Sequence, residues 1–260
     1  MDTLALPGVR RLLRRIVPFD ARWRIRAVRR RVADAQAGVR FATLKGDPAT
    51  FGHCVCSYAR PLLCYPGQEQ RFAAKHHNVE LALARVDGVV VAPEETFSFW
   101  RLVGRTTSST GYAPAAALRD GVLVEDVGGA ICLASTLLYN IGLLSAMAVD
   151  ERWCHSVDSY GGARYFELGR DAAVEYAYRD LRLRNVLDVS LMLRASVEDD
   201  AVRAEAWSSD AVDLSVEIAV TPPEYRNGVL GVRTERTVTR DGVVGADDLE
   251  VSAYRVAGND

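Results

Sequence analysis

The feature that most restricts the fold is an apolar stretch, residues 131–149, which begins two residues after the pair Gly128 and Gly129. Its side chains are apolar around most of the helical wheel, so a helix here needs protein on all sides. The stretch also carries polar or thiol side chains, whereas a membrane span needs ~20 mainly apolar residues. We therefore predict a central, buried helix from about residue 132 to residue 148.

The chain beyond this helix is strand-like almost to its end. The candidate strands are residues 152–157, 165–168, 174–178, 189–195, 202–206, 214–220, 232–238 and 249–256. Upstream, a helix is predicted over 78–86, a short buried strand over 89–91 and a half-buried strand over 93–100. One central helix followed by many antiparallel strands predicts an α+β fold, with the helix packed on a largely antiparallel sheet.

Charge is distributed unevenly along the chain. The first 40 residues carry eleven arginines against three aspartates, although the net charge of the whole chain is −2. Apolar residues recur at helical spacing on both sides of Pro18, which separates two helical pieces. Residues 1–40 are therefore predicted to form a basic amphipathic helical arm. Two interpretations stay open: the arm binds an anionic membrane surface or a partner, or it packs as a solvated helix on its own domain.

We divide the rest of the chain into an irregular lead-in (41–77), a core domain (78–195) and a β-rich extension of the same domain (196–260). No apolar leader follows the arginines and the five cysteines are odd in number, so we expect free thiols and a cytoplasmic protein, in solution or peripheral on the inner membrane face. The spacing of Cys54, Cys56 and Cys64 fits no zinc motif, and the overall charge does not indicate nucleic-acid binding. We expect no metal and no cofactor.

Cys132 is the foremost candidate for chemistry because it begins the apolar helix. A helix N-terminus carries partial positive charge and N–H groups without intrahelical partners, and both favour a thiolate. Gly128 and Gly129 would admit a substrate backbone, and adjacent N–H groups would hold an oxyanion. The competing interpretation is a buried, inert thiol, since free cysteine is often a small apolar filler.

A thiolate nucleophile needs a base and a group that orients the base. His155 and the acids Asp171 and Asp180 follow Cys132 in that order, and we predict a catalytic group in which Asp171 orients His155, with Asp180 as the alternative. The order is similar to that of papain-like and transglutaminase-like enzymes. The loop 104–112 is the predicted rim of the cleft. Substrate-binding roles are assigned to Gly128, Gly129, Ser135, Arg152 and Arg170.

These residues lie in a series of motifs that resembles the VanW-like family. The motifs occur in the family's order over about 110 residues: HNVELA (77–82), PEETFSFW (93–100), GGAICLASTLLY (128–139), ERWCH (151–155), GRDAAV (169–174) and DLRLRN (180–185). The chain departs from the family pattern at three positions. Ala130 replaces a glycine, Glu94 replaces a glycine, and Leu133 replaces a glutamine. We expect Leu133 to point into the core.

The resemblance implies envelope chemistry, because the family takes its name from an accessory protein of vancomycin-resistance operons. It leaves three hypotheses open. The chain is a cysteine-dependent hydrolase or acyltransferase acting on a peptide or wall precursor, or a non-catalytic module whose glycine-rich helix N-terminus holds an anionic group, or a structural accessory protein with an inert Cys132. The loss of the glutamine at position 133 argues against activity, because a glutamine helps build the oxyanion site of papain-like enzymes. The presence of the cysteine, the histidine and both aspartates argues for it.

Overall fold

The computed structural model describes residues 19–64, 69–119, 122–158, 164, 166–198 and 201–256. The helices in these residues are α1 (Phe19–Gln36), α2 (Glu69–Val86), α3 (Phe99–Val103) and α4 (Cys132–Leu144). The strands are β1 (His53–Pro61), β2 (Val89–Val91), β3 (Thr96–Ser98), β4 (Pro114–Arg119), β5 (Val122–Val127), β6 (Ala148–Glu151), β7 (Val157–Asp158), β8 (Arg182–Arg184), β9 (Leu191–Glu198), β10 (Ala201–Ser208), β11 (Leu214–Val220), β12 (Glu224–Arg226), β13 (Val229–Arg240) and β14 (Val243–Val256).

The strands pair almost entirely in antiparallel fashion, which confirms the α+β prediction. One sheet has the order β1-β10-β9-β2, and a second has the order β11-β13-β14-β7 with β12 beside β13. Strands β3, β8 and β6 form a third sheet, and β4 and β5 form a hairpin. Helix α4 packs on β1 and β10, while α2 packs on β9. The core therefore lies between these two helices and the first sheet.

Helix α4 is the buried helix that the sequence predicts. Every residue from Leu133 to Leu143 is buried, and Leu133 itself, only 6% exposed, belongs to the core as expected. The helix ends earlier than predicted, at Leu144, because Ala146 adopts a left-handed φ of 56° and the N–H of Met147 donates to the carbonyl of Gly142 (2.9 Å), which caps the helix. The chain then enters β6 at Ala148.

The lead-in before residue 78 is more regular than predicted. Strand β1 lies within it and pairs with β10 in the first sheet, and α2 begins at Glu69, nine residues before the predicted start. The prediction of an irregular segment over 41–77 is therefore wrong in these parts. Three glycines and three prolines interrupt the segment, but the tertiary pairing with β10 overrides that local signal.

Three predicted strands beyond α4 are largely absent from the described residues. Residues 152–156 are irregular because their polar groups bind the segment around Asp171 and not a neighbouring strand: the N–H of His155 donates to the Asp171 carboxylate (2.7 Å). Residues 174–178 form a turn closed by a bridge between Glu175 and Arg179. Residues 166–168 form no strand, and residue 165 is not described. The predicted strand over 93–100 is split into β3 and the short helix α3.

Helix α1 confirms the second piece of the predicted arm, whereas the first piece lies outside the described residues. Asp34 of α1 forms a bidentate ion pair with Arg182 (2.6 and 3.0 Å), and Arg30 pairs with Glu151. The ring of Trp23 packs edge-on against Tyr176 at 5.6 Å. One face of α1 is thereby fixed to the domain. Among the described helices, none combines the length and the apolar character that a membrane crossing requires.

Candidate active site

A tight turn at residues 128–131 sets the position of Cys132. Gly128 has a φ of +80°, and a Cβ on Gly129 would lie 2.1 Å from the carbonyl oxygen of Ala115 in β4. Glycine is therefore required at 129 by the close approach of a neighbouring backbone. The turn delivers the chain into α4 with Cys132 as the first helical residue.

Asn78 of α2 holds this turn from the other side. Its side-chain amide donates to the carbonyl of Gly129 (3.0 Å) and to that of Ala113 (2.8 Å), and its carbonyl oxygen accepts from the N–H of Ala113 (2.8 Å). The side chain is fully buried, so these bonds are protected from water. Asn78 was not among the predicted site residues, although it begins the first motif after His77.

His155 links Cys132 to Asp171. Its ring hydrogen-bonds the Cys132 thiol, and its Nδ1 lies 2.5 Å from Oδ2 of Asp171. The ring of Phe166 stacks on the imidazole at a centroid distance of 5.2 Å and an interplanar angle of 13°. The three residues predicted to act together are thus brought into one hydrogen-bonded series, in which Asp171 fixes the orientation of the imidazole.

Asp171 is the centre of a larger buried network. Besides the two bonds to His155, its carboxylate accepts hydrogen bonds from the guanidinium of Arg152 (2.8 Å) and the hydroxyl of Tyr254 (2.5 Å). Arg152 also donates to the hydroxyl of Ser252 (2.6 Å). Asp171 is fully buried, and charge-assisted bonds of this kind are what make a buried carboxylate tolerable. Both Ser252 and Tyr254 belong to β14, and no sequence motif indicated them.

The charges in this network shift the pKa values toward a thiolate–imidazolium pair. Burial alone would raise the pKa of the Cys132 thiol, but the hydrogen bond and the positive charge of His155 lower it below its ordinary value. Burial opposes protonation of His155, yet the bonds to Asp171 and Cys132 raise its pKa to about 10. Burial would likewise raise the pKa of Asp171, and the contacts with His155 and Arg152 lower it. At neutral pH the aspartate is therefore ionised.

Asp180, the alternative orienting acid, has different partners. Its carboxylate accepts from the hydroxyl of Ser98 (2.6 Å), the N–H of Trp100 (3.1 Å) and Nε of Arg182 (3.2 Å). These bonds fix the start of α3. The structure thus places Asp171, and not Asp180, against His155, since the Asp180 carboxylate is engaged by this other group of donors.

The five predicted substrate-binding residues act mainly within the protein. Gly128 and Gly129 line the cleft beside Cys132. Ser135 is fully buried and donates to the carbonyl of Ala172 (2.6 Å), which ties α4 to the segment after Asp171. Arg152 is buried on Asp171, and Arg170 donates to the side-chain oxygen of Asn140 (2.8 Å). We therefore regard Ser135, Arg152 and Arg170 as residues that position the site.

The N–H groups at the start of α4 are largely occupied. Those of Leu133, Ala134 and Ser135 donate to the carbonyls of Ala130 and Ile131, at 2.9–3.2 Å. An anion cradled by three or four helix N–H groups, as in the binding-module hypothesis, would have to displace these bonds. The N–H of Cys132 precedes these three in the chain and belongs to the same residue as the thiol.

Cys132 and His155 line a cleft of about 890 Å³. Its walls include the predicted rim loop, represented by residues 105–108, and the aromatic rings of Trp23, Trp100 and Tyr176. The side chains of Arg71, Lys75, Arg105 and Arg179 also line it, against the two acids Asp126 and Glu175. The excess of cationic groups indicates that the cleft suits a ligand with negative charge. No group of three or more potential metal-ligating side chains occurs within the described ranges.

Two of the three departures from the family pattern coincide with left-handed backbone. Ala130 has a φ of +72° and Glu94 a φ of +61°, in the region where glycine is favoured. The backbone has therefore kept the conformation that glycine adopts freely, although the side chains have changed. A non-glycine residue in this region costs about 1–2 kcal/mol.

Ala130→Gly is therefore expected to raise the free energy of unfolding by about 0.5–1 kcal/mol, since relief of the strain exceeds the added entropy of the unfolded chain. Urea denaturation measures the change. The matched control is Ala33→Gly on the exposed surface of α1, where glycine should destabilise the helix by up to about 1 kcal/mol. A loss of stability in both variants would contradict the assignment of strain to Ala130.

Comparison with known proteins places this site within a family. The family model described as "VanW like protein" matches residues 74–207, which include Cys132, His155 and Asp171. The chain is 32% identical over 140 residues to the uncharacterized protein YoaR of Bacillus subtilis, covering 54% of this chain and 45% of YoaR. It is 28% identical over 152 residues to the vancomycin B-type resistance protein VanW of Enterococcus faecalis, covering 58% and 55%. The chain thus spans about half the length of these relatives. No solved structure matches.

Proposed function

The chain belongs to the VanW-like family, and we propose that it is a cysteine-dependent acyltransferase or hydrolase. The observation that carries the proposal is the hydrogen-bonded series from Cys132 through His155 to Asp171 at the wall of a cleft. A nucleophile, a base and an orienting acid within hydrogen-bond reach are the arrangement that covalent acyl transfer requires.

In the first step the Cys132 thiolate attacks the carbonyl carbon of the acyl donor. A carbon–sulfur bond forms, and the electron pair of the carbonyl π bond moves to oxygen, where the N–H of Cys132 is the donor that we assign to the oxyanion. When the carbonyl re-forms, the bond to the leaving group breaks. The His155 imidazolium gives its proton to that leaving group, and a thioester remains on Cys132.

In the second step the neutral His155 takes a proton from the acceptor, which attacks the thioester carbonyl. Water as the acceptor completes hydrolysis, and an amine or hydroxyl completes transfer. The thiolate leaves and the His155–Cys132 ion pair is restored. Asp171 keeps Nδ1 of His155 engaged throughout, so the other side of the ring stays directed at the sulfur.

The cleft and the comparisons narrow the choice of acyl donor. The cationic lining favours a substrate with a carboxylate or phosphate group. One relative is named for resistance to vancomycin, and on that ground we propose a peptide or cell-wall precursor as the donor and a role in the cell envelope. The aromatic rings offer flat apolar surfaces on which such a molecule would pack.

The first test is the pH dependence of alkylation. Because the pKa of Cys132 is lowered, its thiolate persists to lower pH, and its reaction with iodoacetamide should have a midpoint below the value of about 8.5 for a free thiol. Rates are followed for each cysteine by peptide mass spectrometry. Cys56 is an internal control, since burial raises the pKa of its thiol to about 12. Slow alkylation of Cys132 with a midpoint above 9 would show an inert thiol.

The second test detects the acyl-enzyme intermediate directly. The activated ester p-nitrophenyl acetate should acetylate Cys132 in preference to the other thiols, and Cys132→Ala should abolish release of nitrophenol above the background rate. Cys154→Ala, which removes a neighbouring partly buried thiol, is the matched control and should retain the activity. Acetylation spread evenly over the cysteines would contradict the proposal.

A further inference from the structure

The outer face of helix α1 exposes a row of apolar side chains, and we propose that this face docks on an anionic membrane surface. Trp23, Arg30 and Asp34 face the domain and fix the helix there. On the opposite face, Ile25, Val28 and Val32 are 48%, 56% and 50% exposed. Three large aliphatic residues in a row on one helix face are unusual at a surface that meets only water.

Arginines border this apolar row on both sides. At 100° per residue, Arg24 and Arg31 lie along one edge of the row and Arg29 along the other, and all three side chains are exposed. Apolar residues flanked by cations are the pattern of helices that lie in the interface of an anionic membrane. The arginines would contact lipid phosphates while the aliphatic side chains enter the boundary with the acyl chains.

The charge pattern also argues against a second copy of the chain as the occupant. Two such faces in contact would bring arginine against arginine, and like charges repel at this range. The sequence before α1 contains further arginines and aliphatic residues. Residues 9–17, which precede α1 in the sequence, contain four further arginines among leucine, isoleucine and valine.

Docking would hold the cleft close to the lipid headgroups. Trp23 lies on the inner side of α1 and forms part of the cleft wall, one helix diameter, about 10 Å, from the outer face. An acyl donor held in the membrane would then be near Cys132. The docking itself does not depend on the reaction of Cys132.

The test is flotation of the 260-residue chain with vesicles of phosphatidylcholine, with and without phosphatidylglycerol. Binding should require the anionic lipid and weaken as salt rises, because salt screens exposed charges. Each arginine near an anionic surface contributes about fivefold to partitioning, so Arg24→Gln/Arg29→Gln/Arg31→Gln should lose about a hundredfold. Ile25→Ser/Val28→Ser/Val32→Ser should lose at least about tenfold.

Val243→Ser/Val244→Ser is the matched control, since these side chains are 72% and 67% exposed but lie elsewhere, at the start of β14. It should bind as the parent does, and so should Cys132→Ala. Circular dichroism checks that each variant is folded. Full binding by the triple serine variant would assign the interaction to residues 1–18 and overturn the proposal. Equal binding to both kinds of vesicle, or none to either, would also overturn it.

Discussion

Asp171→Ala is expected to destabilise the protein by about 3–5 kcal/mol. The substitution leaves the guanidinium of Arg152 buried without its anion, and it removes the acceptor of Tyr254 and of both His155 bonds. Loss of one partner from a buried charge pair costs about that much, because the remaining charge stays desolvated. Domains are typically stable by only 5–15 kcal/mol, so the variant should unfold at a clearly lower urea concentration.

A comparison of Asp180→Asn with Asp171→Asn separates the loss of stability from an effect on the pKa of His155. Asp180 is also buried and bonded to several donors, so this variant should lose stability as well. Only Asp171→Asn should change His155, whose pKa of about 10 depends on the bond to Asp171. The chain has four histidines, and NMR titration of their rings resolves the difference. An unchanged His155 pKa in Asp171→Asn would contradict the role of Asp171.

His155→Ala is expected to slow the alkylation of Cys132 at pH 7 by at least about tenfold. The imidazolium lowers the pKa of the thiol against the opposing effect of burial, and without it burial alone acts. Each unit by which the thiol pKa rises above the working pH reduces the thiolate fraction tenfold. The rate constant for Cys132 with iodoacetamide, resolved by peptide mapping, gives the result.

His76→Ala is the matched control for His155→Ala. His76 lies on α2 at the surface, beside Glu80 at 3.7 Å, and takes no part in the cleft lining. Its replacement should leave the alkylation of Cys132 unchanged. If the two alanine variants react at the same rate, the thiol pKa does not depend on His155, and the acyl-transfer proposal loses its base.

The parts of the fold that the sequence predicts are those with a strong local signal. Helix α4 is apolar around most of its surface, and this pattern favours a buried position. Strands β10 and β11 alternate buried and more exposed residues, β9 begins with three buried apolar residues, and all three lie within three residues of their predicted bounds. By contrast, β1 depends on pairing with β10, more than 100 residues away, and the sequence of β1 alone gives little indication of that partner.

The sequence predicts Cys132, His155 and Asp171 as a group, but not residues that support them, such as Asn78 and Tyr254. The order of Cys132, His155 and the acids suggested the group, yet Asp171 and Asp180 could not be told apart. Both are acids near motifs, and their partners come from distant segments. Arg152 was predicted to bind substrate because nothing in its motif indicates that the side chain is buried against Asp171. The strand predicted around His155 is wrong because side-chain bonds to Asp171 replace the ladder that a strand needs.

The contacts that β14 makes with Asp171 and Arg152 form late in protein synthesis. Tyr254, which donates to its carboxylate, follows it by 83 residues, and Ser252, which accepts from Arg152, belongs to the same strand. A nascent chain that has already folded α4 and exposed Cys132 therefore still lacks these two contacts. Until β14 leaves the ribosome and docks, the carboxylate that orients His155 is held by fewer partners. Strand β14 is thus made after Cys132, His155 and Asp171, and it completes the surroundings of the Cys132 thiol.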